Sequence, residues 1–306
     1  MSEGTARVGF VGIGKMGYSM AACLRRAGVE VMAFDVAVSA AERFVAEHGG
    51  RVAGSLAETA RDSDAVITMV PDGKIVHRIV FGEGDCLSAG LRADQIFIDM
   101  SSSAPADTEQ LHAGLLALGI SAVDAPVSGG VKRAKTGTLT IMAGGESDAV
   151  ERAKPILSHL GSVVHAGKPG AGQAAKALNN LLSATGLVAA VEVMLVAKRY
   201  GLDLETFLGI LNSSTGRNNS TENKIVQFVL NRDFGSGFAL DLMAKDVANA
   251  VDLAQQTGTV AFLSPLCREI CASAAQELGT GADHTEIARW LEARTGGTLA
   301  GDEETR

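Results

Sequence analysis

The residues best suited to proton chemistry stand in Gly170-Ala171-Gly172-Gln173-Ala174-Ala175-Lys176-Ala177-Leu178-Asn179-Asn180. Lys176 and Asn180 are four apart, so on a helix they share one face. Their neighbours are alanine, leucine and valine, and a lysine turned inward among them would be partly stripped of water. That disfavours the ammonium and lowers the pKa toward the range useful for proton transfer. In such a role Lys176 takes a hydroxyl proton during oxidation and returns it during reduction, and its ammonium stabilises a developing alkoxide. Asn180 would orient the substrate or the lysine. The bland alternative is a solvated helical lysine, against which the apolar, small-residue setting argues.

Two glycine-bearing segments could hold anions. Gly12-Ile13-Gly14-Lys15-Met16-Gly17 follows a β-branched run and opens a helical one. Gly12 permits a tight turn, Gly14 a close approach of backbone to a pyrophosphate, and Gly17 close packing of helix on sheet. The helix N-terminus adds free N–H groups. Asp35 stands 18 positions after Gly17, where a carboxylate can accept both ribose hydroxyls of an adenosine. A 2′-phosphate would meet like charge there, and Val36, Ala37 and Val38 bring no cation, so NAD is favoured over NADP. The second segment is Asp124-Ala125-Pro126-Val127-Ser128-Gly129-Gly130. The Ser128 hydroxyl and the unobstructed N–H groups of Gly129 and Gly130 could grip a carboxylate without an arginine, although a purely structural turn would read the same way.

The elements that must position these residues follow from periodicity. Arg7–Val11, Glu30–Phe34, Ala65–Val70, Ile96–Asp99 and Ser121–Asp124 read as strands. Met16–Ala27, Val38–Glu47 and Asp107–Leu118 have helical spacing. Strand–helix alternation predicts an α/β, doubly wound parallel sheet with helices on both faces. Leu139–Ala143 and Val163–His165 extend it around a helix near Asp148–Leu160. Beyond Gly172 only helical patterns remain: a long one from Ala174 to Tyr200, then segments near Leu204–Leu211, Thr221–Leu230, Leu240–Thr257, Pro265–Leu278 and Thr285–Ala293. The expected organisation is a dinucleotide-binding domain over 1–168 and an all-α substrate and oligomerisation domain over 169–306. The tail from Thr295 is polar and reads as mobile.

Bulk properties narrow the class. A net charge of −8 with no Lys/Arg block argues against nucleic acid or an anionic membrane as partner. Leu181–Ala197 is apolar but interrupted and short for a membrane span, which needs about 20 residues. Cys23, Cys86, Cys267 and Cys271 form no Cys-x-x-Cys pair or Cys/His cluster, so no metal site is expected. Cys267 and Cys271 read as small apolar side chains one helical turn apart. Thiols without a recognisable targeting segment point to the cytoplasm.

Taken together, the Gly12–Gly17 turn, the Asp124–Gly130 segment, the Gly170–Asn180 segment and Lys245-Asp246 resemble the β-hydroxyacid dehydrogenases, in order, from about Arg7 to Trp290. The resemblance implies a Rossmann-type domain followed by an all-α domain with a long interdomain helix, assembled as a homodimer or homotetramer. It also implies hydride transfer between NAD and the 3-hydroxyl, or semialdehyde carbonyl, of a small 3-hydroxy carboxylic acid. Carried over by position, the catalytic lysine falls on Lys176, and the substrate-binding residues on Ser128, Gly129 and Gly130, with Asn180 nearby. A cofactor loop falls on Val70 and Pro71, a hydroxyl beside the nicotinamide on Ser102, and a lysine closing over the cofactor on Lys245. Without the resemblance, Lys245 and Asp246 would be an ordinary exposed helix pair. Tyr18-Ser19 replaces a frequent proline and Val70 a frequent leucine; neither bears on the chemistry. Arg217 could meet a second carboxylate or simply be a solvated loop arginine. An imine reductase-like enzyme is disfavoured by the lysine at 176, and an inactive NAD-binding regulatory protein by the presence of both Lys176 and Ser128. A 6-phosphogluconate-type decarboxylating enzyme is disfavoured by the short helical half.

Overall fold

The computed structural model describes residues 6–301. Its chain divides into two compact units, Met1–Lys176 and Ala177–Arg306.

In the first unit, short runs of β-branched and aliphatic residues form the strands β1 (Arg7–Val11), β2 (Glu30–Phe34), β3 (Arg51–Val52), β4 (Ala65–Thr68), β5 (Ile96–Asp99), β6 (Ser121–Asp124), β7 (Val127–Ser128), β8 (Leu139–Gly144) and β9 (Gly161–Gly167). They make one sheet in the order β3-β2-β1-β4-β5-β6-β8-β7, with β9 also paired to β8. From β3 through β6 the sheet is parallel, and β4 and β5 are buried throughout. Near-continuous apolar strands are what burial on both faces requires. The expected all-parallel sheet needs one amendment, since β8 runs antiparallel to β6 and β7. Residues 129–138, which include a short helix, carry the chain from β7 back alongside it in the opposite direction.

The helices α1 (Lys15–Arg26), α2 (Val38–His48), α3 (Leu56–Arg61), α4 (Gly73–Phe81), α5 (Pro105–Ala117), α6 (Gly130–Thr136) and α7 (Ser147–Leu157) connect these strands. Two apolar clusters result: one joins Phe10, Met20, Leu24, Phe44, Ile98 and Leu139, the other Val66, Val76, Phe97, Leu111 and Leu115. Residues alternate between the clusters along β1, β4 and β5, as a pleated sheet covered on both faces demands.

The second unit is helical. α8 (Ala171–Tyr200) begins in the first unit and runs 30 residues. By length and composition it is apolar enough to cross a membrane, although its core run reads as short in sequence; half of its most apolar window is buried. Ala184, Leu187, Val191 and Met194 pack there with Leu208, Ile225, Val229, Met243, Val247, Cys267 and Cys271. These come from α9 (Leu204–Ser213), a π-helix (Ser220–Leu230), α10 (Leu240–Gln256) and α11 (Leu263–Leu278); α12 (Ile287–Thr295) closes the unit. The tail does not behave as its polarity suggests. Leu299 and Ala300 are buried, the Leu299 N–H donates to Glu292 at 2.6 Å, and Lys198 bonds the Ala300 carbonyl. Two apolar side chains and a satisfied carboxylate hold it down. Residues 302–306 lie outside the described residues.

Candidate functional site

The site builds up from the carboxyl edge of the parallel strands, between β1 and β4, where strand order reverses direction and ligands of such sheets bind. Here the Gly12–Gly17 turn leaves β1 and enters α1. Gly12 has φ +98°, and a β-carbon on it would collide with the Met69 carbonyl. One on Gly17 would overlap the Gly12 carbonyl, whereas one on Gly14 would meet nothing within 4 Å. The three glycines thus have three reasons: two are demanded by protein contacts, and Gly14 faces open space. α1 has no side-chain cap at Gly14 and no acid in its first turn, so nothing built into the helix occupies its positive end. Met16 is half-buried and Lys15 exposed.

Asp35 directly follows β2, beside this turn. Its Oδ2 accepts the Ile13 N–H at 2.7 Å and its Oδ1 the Ala37 N–H at 2.8 Å. Each carboxylate oxygen keeps a second lone pair, so the geometry leaves acceptors for ribose hydroxyls while fixing the turn. Val36 is 93% exposed and contributes no cation. The turn and the acceptor fit a dinucleotide.

The neighbouring loops are joined by a buried polar network that the sequence does not announce. Asp99, at the end of β5, accepts from Thr68 Oγ1 (2.9 Å), the Ser101 N–H (3.0 Å) and Ser103 Oγ (3.2 Å). Burial, partly offset by these bonds, pushes its carboxyl above the usual range. Ser101 Oγ in turn accepts the Val70 N–H at 3.0 Å, which fixes Val70 and the following, exposed Pro71. Gln173, in the first turn of α8, then clamps the serine loop at two points. Its Oε1 accepts the Ser103 N–H at 3.0 Å and its Nε2 donates to the Ser101 carbonyl at 2.9 Å. Ser102, half-buried, sits between those two points.

Asp124 performs the matching task from β6. It accepts the N–H groups of Gly170 (2.9 Å) and Gln173 (3.1 Å), capping α8 from across the sheet edge. The approach is possible only because a β-carbon at Gly172 would overlap the Met142 carbonyl, and one at Gly144 would lie 2.6 Å from Asp124 Oδ1. Burial raises the Asp124 carboxyl to about 6 and depresses the neighbouring His112, 3.5 Å away, to about 4. Four residues after Asp124 comes Ser128, half-buried on β7. Gly129 and Gly130 follow in the positive-φ region (+134° and +65°) and are exposed at the start of α6.

Val70, Pro71, Ser102, Lys176 and the Asp124–Gly130 segment are therefore tied to one frame within the first unit, and Lys176 is half-buried one turn beyond Gln173. In the second unit, Asn180 is buried and its Nδ2 donates to Asp246 Oδ2 at 2.6 Å, while Lys245 Nζ lies 3.5 Å from Asp246 Oδ1. Asp246 is buried, so this pair is not the solvated one that spacing alone suggests. Arg217 is 62% exposed and faces Glu222 at 3.6 Å, the arrangement of a solvated loop arginine. Cys267 and Cys271 are buried in the helical core. The sequence reading missed Gln173, Asp99 and Asp124 as positioning residues, although their polarity amid apolar strand ends and a small-residue helix was a signal.

Comparison with known proteins agrees with this arrangement. Residues 7–167 match the model of the NAD binding domain of 6-phosphogluconate dehydrogenase. Residues 170–291 match that described as NAD-binding of NADP-dependent 3-hydroxyisobutyrate dehydrogenase. The chain is 34% identical to a 2-(hydroxymethyl)glutarate dehydrogenase of Eubacterium barkeri, over 98% of this chain and 99% of that one. It is 36% identical to a probable 3-hydroxyisobutyrate dehydrogenase of Mycobacterium tuberculosis, over 92% and 94%. The M. tuberculosis 3-hydroxyisobutyrate dehydrogenase solved with L-serine superposes with a TM-score of 0.85 at 34% identity, covering 94% of this chain and 99% of that one. Motif order, fold and full-length identity converge: the chain belongs to the β-hydroxyacid dehydrogenase family.

Proposed function

We propose that this chain is an NAD-dependent dehydrogenase that oxidises the 3-hydroxyl of a small 3-hydroxy carboxylic acid, or reduces the corresponding semialdehyde, with Lys176 as general acid and base. The observation that carries the reading is the Gln173 clamp, which ties the helix of Lys176 to the loop of Ser102 at the sheet edge that also carries the Gly12–Gly17 turn. When bound, the nicotinamide supplies the hydride acceptor or donor. The chain supplies the rest. Gly12 to Gly17 and the first N–H groups of α1 receive the pyrophosphate, Asp35 the adenosine ribose, and Val70, Pro71, Ser102 and Lys245 border the cofactor. Asp35, with no cation at positions 36–38, supports NAD over NADP. The Ser128 hydroxyl and the Gly129 and Gly130 N–H groups hold the substrate carboxylate, and Asn180 orients the substrate. Lys176 Nζ takes the hydroxyl proton as the carbonyl forms and returns it in the reverse direction.

The same reading extends to a homodimer or homotetramer in the cytoplasm. Exposed apolar residues on the helical unit, among them Leu182, Val196, Tyr200, Phe262 and Leu266, support assembly, and four unpaired cysteines suit a reducing compartment. The test is an NAD-reduction screen over L-serine, glycerate, threonate, 3-hydroxyisobutyrate and 2-(hydroxymethyl)glutarate, repeated with NADP. Turnover of at least one acid, faster with NAD, is expected. Tight NAD binding with no turnover of any of them would instead favour a regulatory protein.

A further inference from the structure

One half-buried cation in the helical unit has no part in the reading above. Lys224 lies in the π-helix Ser220–Leu230, a winding rare enough that functional positions account for many instances. It is half-buried, and its Nζ donates to Ser183 Oγ at 2.8 Å. Among the described residues no carboxylate lies within salt-bridge distance of it. Asp283 is near enough to be felt electrostatically, but its oxygens are taken by Ser236 Oγ, the Gly237 N–H, and the Thr285 N–H and Oγ1. Burial lowers the Lys224 ammonium to about 8, against the opposing pull of Asp283. A partly desolvated ammonium served by one neutral hydroxyl is costly unless an anion completes its shell.

Its location points to which anion. Ser183 follows Lys176 by seven residues and Asn180 by three, so all three side chains leave α8 within one narrow arc. About 10 Å of helix axis separates Lys176 from Ser183. The Asn218 side chain packs over Gly186, one turn farther along, so the start of the π-helix leans on this same stretch of α8.

We propose that Lys224 and Ser183 form a subsite for a second carboxylate, which makes small dicarboxylic 3-hydroxy acids better substrates than monocarboxylic ones. Lys224 would bind one carboxylate oxygen through its free N–H groups, and Ser183, bridged to it, would fix the ammonium's direction. The proposal rests on the dehydrogenase reading for its substrate but not for its binding test. Glutarate and butyrate have no hydroxyl to oxidise, so calorimetric titration of the NAD-loaded wild type reads the subsite alone. Glutarate should bind at least tenfold more tightly. In Lys224→Gln, which keeps a donor for Ser183, that preference should fall to within about twofold. The ratio of kcat/KM for 2-(hydroxymethyl)glutarate over 3-hydroxyisobutyrate should drop at least tenfold, through KM. Equal binding of the two acids by wild type overturns the subsite, and it does so even if the variant fails to fold. A folded variant that retains the glutarate preference overturns it as well. A clear glutarate preference with no turnover of any hydroxy acid supports the subsite and overturns the dehydrogenase reading instead.

Discussion

At the level of single residues, proton transfer, cofactor selection and positioning separate cleanly enough to test one at a time. Lys176→Ala should lower kcat by about 10²–10⁴, the usual contribution of a general acid–base group, while NAD affinity measured by fluorescence titration stays within about twofold. A comparable loss of affinity would mark the lysine as structural. Gln173 touches no reacting atom, so its effect must arise through the loops it joins. Gln173→Met keeps the volume and removes both bonds to the serine loop. It should reduce kcat about 10–100-fold, as a displaced catalytic group does, with KM for NAD little changed. A variant that loses only thermal stability would refute a positioning role. Lys176 was legible from its helical, small-residue setting, but the Gln173 clamp was not: its bonds reach 70 and 72 positions back along the chain, and local pattern carries no trace of such pairings. Lys224 was hidden for the same reason. Its partner Ser183 is 41 residues away, and a lysine in a helical stretch reads as solvated.

Among the elements, those with strong periodicity were visible and the short ones were not. β1, β2, β5 and β6 have the bounds their β-branched runs suggest, because burial on both faces leaves few polar interruptions. β3 and β7, two residues each, carry too little pattern to register. α6 is masked by the glycines that open it. The π-helix reads as an α-helix in sequence, since no residue type in Ser220–Leu230 marks i→i+5 winding. The junction of β6, β8 and α8 is the tightest of these contacts. Gly172→Ala should therefore cost at least about 2 kcal/mol in urea unfolding, because its β-carbon meets backbone rather than a flexible side chain. Asp124 and His112 make a further prediction there. Alone, an acid raised to about 6 stabilises the fold at low pH and loses that contribution as pH rises from about 4 to 6. A histidine lowered to about 4 works oppositely, destabilising the fold at low pH and ceasing to do so as pH rises from about 4 to 6.5. The proton released by one is held by the other, so wild-type stability should be nearly flat from pH 4.5 to 6. His112→Gln should lose stability over that interval, and denaturation curves at the two pH values decide it.

For the molecule as a whole, the glycine turn, the strand succession and the lysine helix give the family from sequence alone, because they are contiguous or evenly spaced. The tail was misjudged because Leu299 and Ala300 are two apolar residues in a polar run, and only their burial beside Glu292 reveals the packing. Assembly belongs to this scale. Light scattering should give at least twice the 31.5 kDa of one chain, and Tyr200→Glu with Phe262→Glu should reduce it; a monomer in the wild type would refute the oligomer.

The Asp35 carboxylate holds the Ile13 N–H with one oxygen and the Ala37 N–H with the other. Any redesign that deletes it to welcome a phosphorylated ribose thus also unfastens the phosphate turn. Such a swap gives up rigidity together with selectivity: Asp35→Ala should narrow the NAD/NADP ratio and weaken both dinucleotides together, whereas Asp35→Asn, which retains an acceptor for one N–H, should relax the choice with less harm to grip.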